Sequence, residues 1–274
     1  DRAQAGAEHT IVGRARDDHR SRQPQGKQSR QFANHGCHYT RTTGIWQSVW
    51  AEPVDPRARF DRPRITPDFQ AGAFDLVLPV ISQAGSCRIE AELLDDDGLV
   101  AKGQTGCGGN LMPRLRLEID ESRRRPWSPQ DPFLYDLKLR LFDADGNLLD
   151  EVASYAGLRG IAIDGHRVLL NGRSVFQRLV LDQGYWPDGI MTAPSDEALI
   201  RDIQLAQAAG FNGARLHQKV FEQRFLYHAD RLGYLVWSEM GDWTWSSAPD
   251  QEKQTHSATL VAQWIEAIRR DYNH

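Results

Sequence analysis

Phe211-Asn212-Gly213-Ala214-Arg215-Leu216, then Phe221, Phe225, Ala229 and Leu232 at helical spacing, then Gly233-Tyr234-Leu235-Val236-Trp237-Ser238-Glu239 decide how this chain folds. A short apolar run gives way to a 3.6-residue period, a glycine stop and a second apolar run. That order reads as strand, helix, strand with short connections, the signature of parallel pairing. Working back, Val175–Leu181 is a preceding strand. Ser195 is a fitting N-cap, with Asp196 and Glu197 in the first turn and Leu199, Ile203 and Ala206 as an apolar stripe ended by Gly210. Working forward, Leu260, Val261, Trp264, Ile265 and Ile268 make a third helical stripe. Residues 159–274 thus read as three βα units, which fit a doubly wound sheet or part of a (β/α)8 barrel. No GxGxxG follows the first strand, which argues against a dinucleotide site.

Upstream the texture changes. Residues 57–158 read as all-β, with strands expected over Phe74–Ile81, Arg88–Leu94, Leu115–Ile119, Tyr135–Phe142 and Leu148–Tyr155. Asp95-Asp96-Asp97-Gly98 and Asp143-Ala144-Asp145-Gly146-Asn147 supply turn chemistry between them, and Pro126–Pro132 reads as a loop or edge. This spacing suggests an immunoglobulin-like sandwich. Residues 1–56 hold only short apolar pieces. In Ile45–Trp50 the alternation of Trp46, Ser48 and Trp50 with Ile45, Gln47 and Val49 predicts a strand with its aromatics in a sandwich core.

Of the 274 residues, 40% are apolar and 26% charged, with a net charge of −4, ordinary for a globular protein and against a general nucleic-acid binder. The ten Lys/Arg and six Asp/Glu of residues 1–60 make that end locally basic. It lacks interleaved aromatics over residues 1–31, so a solvated surface is expected rather than a nucleic-acid arm. Cys37, Cys87 and Cys107 are odd in number and far apart, suggesting neither a disulfide framework nor a zinc site. No run reaches the roughly 20 apolar residues of a membrane span. There is no initiator Met and no signal-peptide pattern, which leaves localisation open with the cytoplasm as the default.

Several motifs, in order, resemble glycoside hydrolase family 2, the β-galactosidase/β-glucuronidase family. Arg41-Thr42-Thr43-Gly44-Ile45-Trp46-Gln47-Ser48-Val49-Trp50 resembles the closing strand of its sugar-binding jelly roll. Trp127-Ser128-Pro129-Gln130-Asp131-Pro132-Phe133-Leu134-Tyr135 resembles the Trp-Ser-Pro…Pro-x-Leu-Tyr motif of its Ig-like domain, and Leu170-Asn171-Gly172-Arg173-Ser174-Val175 the entry to its barrel. Asn212–Arg215, Asp230–Gly233 and Tyr234–Glu239 resemble its first signature, and Asp271–His274 the opening of its second.

The resemblance implies three parts: residues 1–56, the C-terminal part of a jelly roll; 57–158, an Ig-like β-sandwich; and 159–274, the first three βα units of a (β/α)8 TIM barrel. It implies a retaining β-glycosidase with a carbohydrate substrate, no cofactor, no nucleic-acid or membrane partner, and a homo-oligomeric parent. The family's acid/base and nucleophilic glutamates lie on the fourth and seventh strands. No Asn-Glu dipeptide occurs in this sequence, so the chain is expected to be a fragment that is inactive alone. A non-catalytic carbohydrate-binding or adhesion protein with a vestigial barrel is the alternative.

Barrel sites lie at the C-terminal ends of strands. The substrate-binding candidates there are Asp182, Gln183 and Trp186; Arg215, His217 and Gln218; and Glu239 and Trp243, with Asp242 a surface residue. Carboxylates, amides and Arg suit sugar hydroxyls, and aromatics suit the sugar's C–H face. The family often carries His where Gln183 and Gln218 stand. Arg215 has a purely structural alternative, pairing with Glu239. His217 is either a site contact or a satisfied buried imidazole. Asp182, Arg215 and Glu239 are expected to converge.

Overall fold

The computed structural model describes residues 8–16, 23–29, 31–243 and 250–274, except for the side chains of 250–256. The all-β region runs β1 (Ala58–Phe60), β2 (Arg64–Asp68), β3 (Ala73–Val77), β4 (Val80–Ser82), β5 (Cys87–Asp95), β6 (Gly98–Gly106), β7 (Arg114–Glu118), β8 (Tyr135–Asp143) and β9 (Leu148–Ala156). One antiparallel sheet has the order β6-β5-β8-β9, a second β2-β3-β7, and β1 pairs with β4. The alternation Cys87, Ile89, Ala91, Leu93 on β5 and Tyr135, Leu137, Leu139, Leu141 on β8 puts every second residue into one shared core with Phe74, Leu76 and Leu117. Tyr135 is fully buried, and its hydroxyl is satisfied at both ends. It donates to the Arg123 carbonyl and accepts from the Arg125 amide, each at 2.6 Å.

The expected strand over Phe74–Ile81 is two strands. Leu78-Pro79 interrupts it, since proline brings no N–H to a ladder, and β3 and β4 enter different sheets. The Gly-rich β6 has too weak an apolar period to be read from sequence. Gly103 is needed there because a Cβ would press on the Leu115 side chain. Cys87 and Cys107 are buried free thiols, joined by a 2.9 Å backbone hydrogen bond, and burial pushes the Cys107 thiol up to about 11.

An antiparallel meander, β10 (Ile161–Asp164), β11 (Arg167–Leu170) and β12 (Arg173–Ser174), leads into a parallel sheet. The sheet has the order β13 (Leu179–Asp182), β14 (Gly213–Leu216), β15 (Leu235–Ser238). The strand expected over Val175–Leu181 thus starts later, after the meander has taken Val175. Helices α1 (Asp196–Ala208) and α2 (Gln223–Leu232) connect the strands, and α3 (Asp250–Arg270) follows. Ser195 caps α1, its Oγ accepting from the Ala198 amide at 3.3 Å. Leu199 and Ile203 of α1 pack with Phe225, Leu226 and Ala229 of α2 over Ala214 and Leu216.

One expectation fails here. Ile45–Trp50 is not a strand: Trp46 gives its carbonyl to the Thr192 hydroxyl at 2.9 Å, Gln47 reaches the Val220 carbonyl at 3.0 Å, and Trp50 is exposed. The segment finds partners in the βα loops rather than in a neighbouring strand. The helix expected from the third stripe forms as α3, with Val261, Trp264, Ile265 and Ile268 exposed.

Gly233 ends α2 in the left-handed region at φ +68°, and a Cβ there would overlap the Pro129 carbonyl. Gly233→Ala therefore combines backbone strain with a clash against a neighbouring backbone. It is expected to cost about 2 kcal/mol or more, read as a lowered denaturant midpoint. A loss under about 0.5 kcal/mol would show that the Trp127–Pro132 loop does not press on this helix end.

Candidate functional site

The parallel register aligns Leu181, Arg215 and Trp237 in one row, and Asp182, Leu216 and Ser238 in the next. Successive strand residues face opposite ways, so Arg215 shares a face with Leu181 and Trp237, while Leu216 turns into the helix layer. The Arg215 face is open: Leu181 is 48% and Trp237 52% exposed. At its C-terminal end the Arg215 guanidinium pairs with the Glu239 carboxylate, and the other Glu239 oxygen accepts from the Gln218 amide N–H at 3.1 Å. Gln218 holds this corner at φ +60°. Its side chain clasps Asp242, donating to the carboxylate at 2.7 Å and accepting from the Asp242 amide at 3.0 Å. Asp242, exposed as expected, thus also anchors this loop.

His217 lies beside this pair with its ring 6.4 Å from Trp243, edge to face. Its Nδ1 is buried without a hydrogen-bond partner among the described residues. Burial, then the Lys27 charge, hold the imidazole below its usual range, so it is neutral at pH 7.

Asp182 does not join Arg215 and Glu239. It shares the helix-facing row with Leu216, and its carboxyl lies near Asp202 on α1 and accepts from the Gly184 amide at 2.8 Å. Burial pushes Asp182 up to about 6 and raises Asp202 as well. The expected convergence therefore holds for two of three residues. A parallel strand with apolar residues on both faces leaves open which row meets the helices. Gln183 and Trp186 go with Asp182. They line a separate 390 Å3 cavity with Tyr39, Tyr185, Asp202 and Tyr234, and Trp186 packs against the helix-layer core.

Sequence reasoning missed the N-terminal segment. Residues 25–29 and 31–43 lie across the C-terminal ends of the strands, tied by Trp243 N–H to the Gln25 carbonyl at 3.0 Å. Gly26 comes so close to Gln218 that a Cβ would overlap its carbonyl. Tyr39 stacks on Tyr185 at 3.7 Å, His38 meets the Trp243 edge at 5.0 Å, and the Lys27 ammonium lies 5.3 Å over the same ring. Lys219 was missed too. Buried beneath the loop after β13, it donates to the Gly184 and Met191 carbonyls at 2.5 and 2.8 Å, and burial lowers it to about 8. The Gly26 approach left the only local trace in the sequence, a glycine beside a lysine. Among the described residues no group of three or more His, Cys, Asp or Glu could hold a metal ion, and no helix is long and apolar enough to cross a membrane.

Residues 58–159 match the family described as glycosyl hydrolases family 2. The chain is 26% identical over 251 residues to a β-galactosidase of Erwinia tasmaniensis, covering 85% of this chain and 24% of that protein. It is 27% identical over 197 residues to a β-glucuronidase of Paenibacillus borealis, covering 68% of this chain and 31% of that protein. Among solved structures, it shares the fold of the β-glucuronidase from Ruminococcus gnavus in complex with D-glucuronic acid. The TM-score is 0.65 at 21% identity, covering 80% of this chain and 36% of that one. A glycosyl hydrolase family 2 member from Bacteroides cellulosilyticus also matches, with TM-score 0.65 at 25% identity, over 78% of this chain and 29% of that one. The chain spans between 18% and 24% of the length of the first three curated relatives.

Proposed function

We propose that this relative of the family 2 glycosyl hydrolases forms one side of the sugar pocket of a retaining β-glycosidase that hydrolyses O-glycosidic bonds of β-linked sugars. In this reading, residues 1–56 are the end of a jelly roll and 57–158 an Ig-like sandwich. Residues 159–274 are the first three βα units of a (β/α)8 barrel. The observation that carries it is the Arg215–Glu239 pair at the C-terminal end of a parallel sheet, flanked by Gln218, His217 and Trp243. The open Leu181–Arg215–Trp237 face supports it, since the inside of a barrel is covered only when further strands close it.

Retaining hydrolysis needs two carboxyl groups about 5–5.5 Å apart, one acid/base and one nucleophile. Glu239 is unsuited to either role while Arg215 and the Gln218 amide hold both its oxygens. In this scheme it orients Arg215, which with the Gln218 side chain addresses sugar hydroxyls, and Trp243 stacks on the ring. The two catalytic glutamates belong to the family's fourth and seventh barrel strands, outside the 274 residues.

The test assays the 274-residue chain on chromogenic β-galactoside, β-glucuronide and β-mannoside, beside Glu239→Gln, and measures binding of the matching methyl β-glycosides. The expected result is binding without turnover, with Trp243→Ala weakening binding about tenfold, about 1.4 kcal/mol. Turnover that vanishes in Glu239→Gln would move a catalytic carboxylate onto β15 and overturn this division of roles. Binding of none of the glycosides would overturn the site itself.

A further inference from the structure

Cys87 and Cys107 are far apart in sequence but opposite each other in the sheet. Arg88 of β5 pairs with Gly106 of β6, so one step outward sets Cys87, the first residue of β5, against Cys107, just past the end of β6. The Cys107 amide donates to the Cys87 carbonyl at 2.9 Å, which marks the two as a hydrogen-bonded pair. Such a pair sets its Cα atoms about 5.5 Å apart, inside the span a disulfide bridges. Both side chains are buried in the same core, so they turn to one face of the sheet. A disulfide wants the Cβ atoms about an ångström closer than a hydrogen-bonded pair holds them. The position allows that shift: β5 has just begun, β6 has just ended, and Gly106, Gly108 and Gly109 flank Cys107.

We infer that Cys87 and Cys107 are a thiol–disulfide modification site, closing into a reversible staple in the presence of a small-molecule disulfide. The Cys107 thiolate attacks one sulfur of that disulfide, expels the first small thiolate and becomes a mixed disulfide. The Cys87 thiolate then attacks the Cys107 sulfur and expels the second. Two protein thiols are oxidised, one small disulfide is reduced to two thiols, and the two protein thiol protons end on them. Cys107 is the entry point because residues 108–112 beside it are exposed. The Asp95–Gly98 turn already holds one end of the β5–β6 hairpin, and the staple fixes the other. That end matters because β6 lies at the edge of the sheet order β6-β5-β8-β9.

The experiment uses the 274-residue chain carrying Cys37→Ser, since Cys37 is exposed and would take up the reagent by itself. Burial pushes Cys107 up to about 11, so its thiolate is scarce at neutral pH, and incubation with oxidised glutathione is run mildly alkaline. Intact mass, non-reducing peptide mapping and urea denaturation follow. The expected result is loss of two hydrogens with no retained glutathione, a Cys87–Cys107 cross-linked peptide, and a urea midpoint higher by about 1 M that dithiothreitol reverses. Cys107→Ala, in which alanine keeps the site apolar, should show neither the cross-link nor the rise. Glutathione retained on either cysteine without a cross-link, or two thiols still free after incubation, would overturn the site. A cross-link that leaves the midpoint unchanged or lower would overturn its role as a staple.

Discussion

Asp230→Ala is expected to destabilise the chain by about 3–5 kcal/mol, the range for breaking a buried charged network by removing one member. Asp230 is buried on α2, where its carboxylate accepts from the Tyr155 hydroxyl at 3.0 Å and faces His274 Nδ1 at 2.8 Å and Arg159 at 3.7 Å. Its backbone carbonyl takes the Trp127 indole N–H at 2.7 Å. Two stretches distant in sequence thus meet on this carboxylate: residues 155–159, at and just after the end of β9, and His274. Burial first, then the Asp230 charge, push the Tyr155 hydroxyl far above its usual range, so it stays a donor at any working pH. Alanine removes the carboxylate that Tyr155 and Arg159 share and leaves the Tyr155 hydroxyl only the His274 ring nitrogen at 3.2 Å. Urea denaturation followed by tryptophan fluorescence measures the effect, with Asp230→Asn retaining part of the stability. A loss below about 1 kcal/mol would mean that the sheet and the βα units do not depend on this contact.

The second large effect is a fall in stability as pH rises from about 4 to about 7, reduced in Asp202→Asn. Asp182 and Asp202 lie close together with both carboxyls raised by burial, and the nearby Asp202 carboxyl adds to the rise of Asp182. Burial pushes Asp182 to about 6, so its folded value lies above the unfolded value near 3.9. A group raised in this way contributes its full stability below about pH 4 and loses it as pH climbs through about 6. The difference is on the order of 3 kcal/mol. Lys219 and Tyr234 face the same carboxyl. His217 and His228 act in the opposite direction, since burial lowers both and their contribution is lost as pH falls. Subtracting the Asp202→Asn pH profile from that of the unmodified chain isolates the part due to Asp202, because a neutral amide removes its charge while Asp182 stays buried. Parallel profiles from pH 4 to 7 would show that the two carboxyls do not influence each other.

Local chemistry was legible in the sequence wherever it answered to neighbours along the chain. Ser195 caps α1 because its own side chain reaches an amide three residues on, and Gly233 stops α2 because glycine enters the left-handed region without strain. The period change around Gly213–Leu216 placed β14, α2 and β15, and the turn residues at Asp95–Gly98 and Asp143–Asn147 placed two hairpins. The Arg215–Glu239 pairing stood only as an alternative reading of Arg215, because it joins two strand ends 24 residues apart.

What remained hidden depends on which surfaces meet. Asp182 and Arg215 both stand at the ends of apolar parallel strands. Only the helices packed on one face decide that Asp182 turns to Asp202 while Arg215 turns to Glu239. Ile45–Trp50 has the alternation of a strand, yet an extended segment becomes a strand only when a neighbour completes its hydrogen bonds. Here Trp46 is drawn to Thr192 and Lys219 instead. Lys27 reaches Trp243 across more than 200 residues, and no period or motif encodes such an encounter. Helix caps, turns and hydrophobic periods are set within a few residues of chain. The environment of a buried charge is set by whatever the fold brings against it, and that is where the chemistry of this site was decided.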